Sequence, residues 1–288
     1  DRKGGLTMIG PFGKSPKVSH HARAVVTGAG SGIGAAFAVE LANRGSRIVC
    51  SDIDEVAAKR TVTAITDRGG DAVAIVCDVT QLDDVVELAA QSQSWFGATP
   101  TLVINNAGVG SGGAPIGELP IEDWQWVLGI NLWGPIHGCH VFAPILRTAD
   151  PSVPRGIINV ASAAAFGAAP SMAAYNVSKA GALSLSETLA AELSGSGVKV
   201  TALCPTFVKT NILESGRISS ETNQFAHKIM RWTGVSAEKV ARTCLDAHDR
   251  GDLYCMPQLE AKIGWGLKRF IPGTYTRAVG LVSRVAPL

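Results

Sequence analysis

What most constrains the fold of this chain is an alternation along its length. Short apolar or β-branched runs at 24–27 (AVVT), 47–51 (RIVCS), 72–77, 101–105 (TLVIN), 156–161 (GIINVA) and 198–204 are each followed by a longer stretch. The stretches at 32–44, 54–68, 81–96, 121–147, 173–194 and 237–250 read as helices, and a last short run follows at 253–256. Strands that are apolar on both faces and alternate with helices belong to a parallel sheet covered on both sides. The crossovers of such units are right-handed. The pattern predicts an α/β fold: a doubly wound, Rossmann-type parallel sheet with helices on both faces.

No linker rich in Pro, Gly or Ser divides this pattern. The expected organisation is an N-terminal extension at 1–22, one domain over 23–257 and a C-terminal extension at 258–288. Within the domain, 205–234 shows no strand and is long for a loop, so it reads as a lid with a short helix inside. Hydrophobic residues are 46% of the 288 and charged residues 17%, a balance that supports a large core and argues against disorder. Basic and acidic residues number 26 and 24, a net charge of +2, and no dense Lys/Arg run occurs, so nucleic acid is not an expected partner. The six cysteines (Cys50, Cys77, Cys139, Cys204, Cys244, Cys255) show no C-x-x-C spacing and read as reduced, buried thiols. His137 and His140 share a helix face, but no carboxylate or Cys set accompanies them, so no metal site is expected. No apolar run reaches eighteen residues and the first twenty-odd lack an apolar signal core, which predicts a cytoplasmic protein with no membrane span.

Chemistry enters at TGAGSGIG, residues 27–34, which lies directly between the first strand and the first helix. Gly28 permits the tight turn, Gly32 lets the backbone approach a pyrophosphate, and Gly34 allows close helix packing. Ser31 and Ile33 lie between them, where a helix N-terminus offers N–H groups and a positive dipole end to phosphates. Asp52 closes the second strand, eighteen residues after Gly34, where a dinucleotide site places an acid against the ribose 2′-hydroxyl. Asp54 is the better placed helix cap. A carboxylate at Asp52 repels the extra phosphate of NADP, and neither Ser31 nor Ile53 is a cation, so NAD is the expected cofactor.

Tyr175 and Lys179 are four apart on one helix face. An ammonium close to a phenol favours the phenolate, which suits the tyrosine for moving a proton as a hydride moves. Ser162, thirteen residues before Tyr175, stands at the C-terminal end of the fifth strand, the edge where open α/β sheets bind ligands. By itself Y-x-x-x-K is an ordinary helix face; it gains weight from the loop upstream and the serine at the strand end.

With Cys77–Asp78–Val79, NNAG at 105–108, Asn131 and the segment from Pro205 to Thr210, these motifs resemble the short-chain dehydrogenase/reductase family, in its compact, single-domain, NAD-preferring branch. The resemblance covers about 23–257. It implies a seven-stranded sheet and an enzyme interconverting a secondary alcohol and a ketone with NAD. Tyr175 would be the general acid/base, assisted by Lys179, Ser162 and Asn131, with Asn131 holding a relay water. Lys179 would also bond the nicotinamide ribose. Asp78 and Val79 would flank the adenine, Asn106, Ala107 and Gly108 would shape the adenosine side, and Thr210 with the backbone near Val208 would bind the carboxamide. Assembly as a homotetramer or homodimer through 121–147 and 173–194 is implied too. One departure is Pro205–Thr206 where the family often has Pro-Gly.

Apolar residues of the lid (Ile212, Leu213, Phe225, Ile229, Met230, Trp232) point to a small, hydrophobic alcohol or ketone as substrate. The rival readings are an NADPH-dependent ketoacyl-type reductase and a catalytically silent cofactor-binding regulator. Beyond 257, Leu259, Ile263, Leu267 and Phe270–Ile271 recur at helical spacing with Lys262, Lys268 and Arg269 between them. A helix packed on the body or on a neighbouring subunit is favoured there over a lipid-facing one.

Overall fold

The structure, a computed structural model, describes residues 17–210, 212, 216–219 and 234–285. Seven strands form the central sheet: β1 Arg23–Thr27, β2 Arg47–Asp52, β3 Asp71–Val76, β4 Leu102–Asn105, β5 Arg155–Val160, β6 Val198–Leu203 and β7 Tyr254–Cys255. Their spatial order is β7-β6-β5-β4-β1-β2-β3, and every neighbouring pair is parallel. Side chains of a strand alternate between faces. Ala24, Val26, Ile48 and Cys50 therefore meet helices α1 (Gly32–Asn43) and α8 (Ala237–Arg250) on one side. Val25, Val49, Val103 and Ile157 meet α3 (Leu82–Phe96) and α5 (Gly134–Thr148) on the other. With both faces covered, the central strands bury nearly every residue, which is why they read as continuous apolar runs.

The remaining helices are α2 (Glu55–Thr66), α4 (Ile121–Leu128), α6 (Ala164–Gly167), α7 (Ala173–Glu192), α9 (Leu259–Phe270) and α10 (Pro272–Val285). As the sequence predicts, Asp54 caps α2, accepting the Ala57 N–H at 3.0 Å. β1 lies between β4 and β2, so the chain reverses its direction of winding there and opens a crevice beyond the strands' C-terminal ends.

Two expectations change. The helix expected over 121–147 is interrupted by a π-helical turn at Gly129–Trp133. Pro135 has no N–H to donate to the Asn131 carbonyl, and the Gly134 N–H bonds Gly129 five residues back instead. The stretch read as strandless contains two-residue strands: Val208–Lys209 pairs with Val235–Ser236, and Arg217–Ile218 with Ser111–Gly112. The short helix expected inside that lid, with Leu213, Phe225, Ile229, Met230 and Trp232, lies outside the described residues, as does most of the N-terminal extension.

All six cysteines are buried and free, and burial pushes Cys50, Cys77 and Cys204 up to about 12 and Cys139 to about 11. Thiols held protonated this firmly are poor nucleophiles and metal ligands. Among the described residues no helix is long and apolar enough to cross a membrane, and no group of His, Cys, Asp and Glu could hold a metal.

His248 is fully buried beneath β5 and β6. Thr201 donates its hydroxyl to the Asp252 carbonyl at 2.7 Å, so at 2.9 Å from the same oxygen the His248 Nδ1 is the donor. Nε2 is left as a buried acceptor with no partner, packed against Gly156. Burial pulls the imidazole down to about 4 from 6.5. The unfolded chain therefore binds the extra proton between those two values, and stability present above pH 6.5 is lost as pH falls toward 4. That difference corresponds to about 3 kcal/mol. Thermal melts from pH 7 to 4 are expected to show this loss, and a His248→Asn variant is expected to flatten it.

Candidate active site

The C-terminal ends of β1, β4, β5 and β6 open into one cavity of about 900 Å³. The loop after β1 forms its first wall. Gly28 and Gly32 have φ of +63° and +54°, which L side chains rarely adopt. A Cβ on Gly28 would lie 2.8 Å from the Ala107 Cα, and one on Gly32 would press on Thr210 at 3.2 Å. At Gly34 a Cβ would run into the Gly28 carbonyl oxygen and the Asn106 amide. Gly34→Ala is therefore expected to lower stability by about 1–3 kcal/mol through overpacking, read as a drop in Tm, and to impair nucleotide binding. Ser31, at the head of α1, makes no side-chain cap and the first turn carries no acid. The leading N–H groups are thus left for an anion. The bare glycine cradle and the uncapped helix fit a dinucleotide pyrophosphate.

Asp52 lines the same cavity. Its carboxylate accepts the Gly30 N–H at 2.8 Å and the Asp54 N–H at 3.0 Å, so it also shapes the glycine loop. Sequence reasoning missed this use of Gly30. It also missed Thr27, whose hydroxyl accepts the Asn106 and Ala107 N–H groups at 3.0 and 3.2 Å. Asn106 returns the connection, donating to the Thr27 and Gly28 carbonyls at 2.8 and 3.1 Å. Asp78 accepts the N–H and hydroxyl of Thr80 at 2.9 and 2.8 Å. Val79 beside it receives His137 Nδ1 on its carbonyl at 2.9 Å.

The opposite wall is built by β5 and α7. Ser162 follows β5; its hydroxyl donates to the Pro205 carbonyl at 3.5 Å, accepts the Ala164 N–H at 3.1 Å and faces Tyr175. Lys179, one helical turn on, is buried and donates to the Val160 carbonyl at 3.0 Å, with its Nζ 5.8 Å from the Tyr175 ring centre. Burial lowers Lys179 to about 8. It raises Tyr175 above 10, with the Ser162 hydrogen bond pulling back. The tyrosine is thus raised, against the expectation of a lowering by the ammonium, because burial of the phenol outweighs the opposing Ser162 hydroxyl.

Gly28, Ser31, Gly32, Ile33, Asp52, Asp78, Val79, Asn106, Ala107, Gly108, Ser162, Tyr175, Lys179, Pro205, Val208 and Thr210 all line the one cavity. Gly34 and Asn131 do not. Gly34 is occupied by packing. Asn131 is fully buried in the π-helical turn, where it accepts the Val109 N–H at 2.8 Å and donates to the Val109 carbonyl at 2.9 Å. A Cβ on Gly108 would touch both Asn131 Oδ1 and Lys179 Nζ, at 3.2 and 3.4 Å, so Asn131 holds this loop against the lysine.

The outer part of the cavity is apolar, with Val109, Trp126, Met172, Phe207, Ile212 and Ile218 along it. Arg217 precedes Ile218 of that lining. It pairs with Asp123 at 2.5 Å and lays its guanidinium 4.4 Å from the Trp126 ring centre, tying residue 217 of the lid to α4. These partners are far apart in sequence, so no local pattern points to them.

Comparison with known proteins agrees with this geometry. A family model described as short chain dehydrogenase matches residues 22–220. The 1-deoxy-11-beta-hydroxypentalenate dehydrogenase of Streptomyces exfoliatus is 34% identical, over 83% of this chain and 84% of that protein. The probable oxidoreductase EphD of Mycobacterium tuberculosis is 41% identical over 65% of this chain, and the match spans only 31% of that longer protein. A short chain dehydrogenase/reductase from Burkholderia phymatum, solved in complex with NAD, superposes with a TM-score of 0.80 at 33% identity, covering 90% of this chain and 94% of that one.

Proposed function

The chain belongs to the short chain dehydrogenase family, and from that premise we propose that it is an NAD-dependent oxidoreductase interconverting an apolar secondary alcohol and its ketone. The observation that carries the reading is the convergence of Ser162, Tyr175 and Lys179 on the cavity that also holds the glycine loop and Asp52. NAD, when bound, supplies the hydride acceptor or donor. The pyrophosphate would rest on the N–H groups at the head of α1, and Asp52 would accept from the ribose 2′-hydroxyl. Thr210 and the backbone near Val208 would take the carboxamide, and Asp78 and Val79 the adenine edge.

Tyr175 Oη is the atom that gives a proton to the ketone oxygen or takes one from the alcohol. Ser162 holds that oxygen beside it. Burial keeps Tyr175 protonated at neutral pH in the free enzyme, the form required for ketone reduction. Lys179, ionised below about pH 8, opposes this by favouring the phenolate needed for alcohol oxidation. Asn131 positions Val109 and Gly108 against Lys179, and a relay water beside it belongs to the same proposal. The apolar outer cavity selects the substrate class and excludes bulk water from the reacting centre.

Incubating the protein with NAD and a panel of secondary alcohols, followed by NADH absorbance, tests the reading. Turnover of bulky apolar alcohols is expected. Turnover confined to small polar alcohols would reject the substrate class, and activity with NADP alone would reject the cofactor.

A further inference from the structure

We propose that helices α9 and α10 form a surface that docks the protein on an anionic lipid bilayer. The body holds α9 by one narrow face. Ala261 is buried and Trp265 packs beside it against the cluster containing Phe166. Trp265 also lies 5.7 Å from the Tyr254 ring. α10 is tied back through the Tyr275 hydroxyl, 3.3 Å from the Gly167 carbonyl oxygen. At 100° per residue, Ala261 and Trp265 lie on one side of α9, while Leu259, Ile263, Leu267 and Phe270 fall within one stripe on the other. That stripe is left in water: Leu259 is 68% exposed, Ile263 54%, Leu267 45% and Phe270 83%, with Ile271 at 47% continuing it. Of the two packings the sequence offers, on the body or on a neighbouring subunit, the body takes up only Ala261 and Trp265 and leaves the larger apolar side chains outside.

Charge decides what covers the stripe. Residues 258–288 contain five basic side chains (Lys262, Lys268, Arg269, Arg277, Arg284) and one acid, Glu260, a net of +4; with +2 for the whole chain, the other 257 residues carry −2. Glu260 is engaged by the Thr206 hydroxyl at 2.8 Å. None of the ion pairs among the described residues uses Lys262, Lys268, Arg269 or Arg277. A second copy pairing through this face would bring two such cationic segments together, which like-charge repulsion opposes. An anionic headgroup layer over hydrocarbon matches both the apolar stripe and the cations that make no ion pair, one of which, Arg269, lies over the Trp265 ring at 5.1 Å. α9 and α10, of 12 and 14 residues, are too short to span and suit lying in the interface. α9 also packs on α6, whose Ala164 and Gly167 line the cavity, so docking sets α9 between the cavity wall and the lipid.

The test is co-sedimentation of the full chain with vesicles of phosphatidylcholine alone or mixed in equal parts with phosphatidylglycerol. Binding to the mixed vesicles at low salt is expected, weakening steeply as salt is raised. An Ile263→Asp/Phe270→Asp variant should lose it, and Lys262→Gln/Lys268→Gln/Arg269→Gln should weaken it several-fold per cation removed. Melting temperature and NADH fluorescence of each variant check that the body is intact. Slowed hydrogen exchange over 259–271 on vesicles should accompany binding by the unmodified chain. Failure to bind the mixed vesicles, equal binding by the double aspartate variant, or a lipid-free dimer that this variant dissociates would each overturn the proposal. None of these outcomes touches the chemistry assigned to Tyr175, which is assayed without lipid.

Discussion

Replacing Tyr175 by Phe is expected to cut turnover severely while leaving NAD binding in place. The change removes one oxygen from a ring whose body packs in the cavity wall, so the glycine cradle, Asp52 and Lys179 keep their positions. What is lost is the proton donor or acceptor next to Ser162. General acid–base catalysis contributes about 10²–10⁴-fold, and a fall in kcat of that size is expected. Titration of NADH fluorescence should give a Kd within about twofold of the unmodified protein, because the interactions holding the cofactor carry little of the loss. Surviving turnover in Tyr175→Phe would dismiss the tyrosine as the proton-transferring group. Parallel loss of NADH binding would instead assign it a structural part in the cofactor site.

Asp52→Asn shifts the cofactor preference toward NADP. The amide oxygen can still accept the Gly30 N–H that Asp52 now takes at 2.8 Å, while the bond from the Asp54 N–H is given up, so the glycine loop keeps its anchor as the charge goes. Two unit charges about 4 Å apart at an effective dielectric of about 20 repel by about 4 kcal/mol. Asp52 is half-buried at the cavity rim, where solvent screens part of that. Lys179 is the only cation among the described lining residues, at the far end, so nothing nearby offsets the repulsion in the unmodified protein. The ratio of kcat/KM for NADP to that for NAD is expected to rise by about ten- to a thousand-fold. An unchanged ratio, or a preference for NADP before the change, would remove Asp52 as the discriminating group.

Much of this site was legible before any coordinates, because its parts sit at fixed places along the chain. A glycine loop must follow a strand and head a helix, and an acid must end the next strand. A tyrosine and a lysine four apart share a helix face. These are local rules, and residues 27–34, Asp52, Tyr175 and Lys179 obey them. The parts that escaped were long-range or came from competition. Arg217 meets Asp123 and Trp126 across some ninety residues. Thr27 and Asn106 bind each other's loops from different strands. The π-helical turn around Asn131 had a visible signal in Pro135, but the amphipathic pattern runs on through it and hid the break.

By itself, the sequence determined a parallel sheet covered on both sides, since strands apolar on both faces must be buried on both, and it named most of the residues that come to the crevice, Gly34 and Asn131 excepted. It did not determine what those residues experience there. Whether Lys179 pulls the Tyr175 proton off or burial holds it on depends on how deeply both are desolvated and on where the Val160 carbonyl lies. Whether the apolar stripe of α9 faces the body or water depends on which side of that helix Phe166 and its neighbours take up. Periodicity specifies a face; only tertiary packing specifies what that face meets, because burial and dielectric are properties of the assembled neighbourhood and not of the chain.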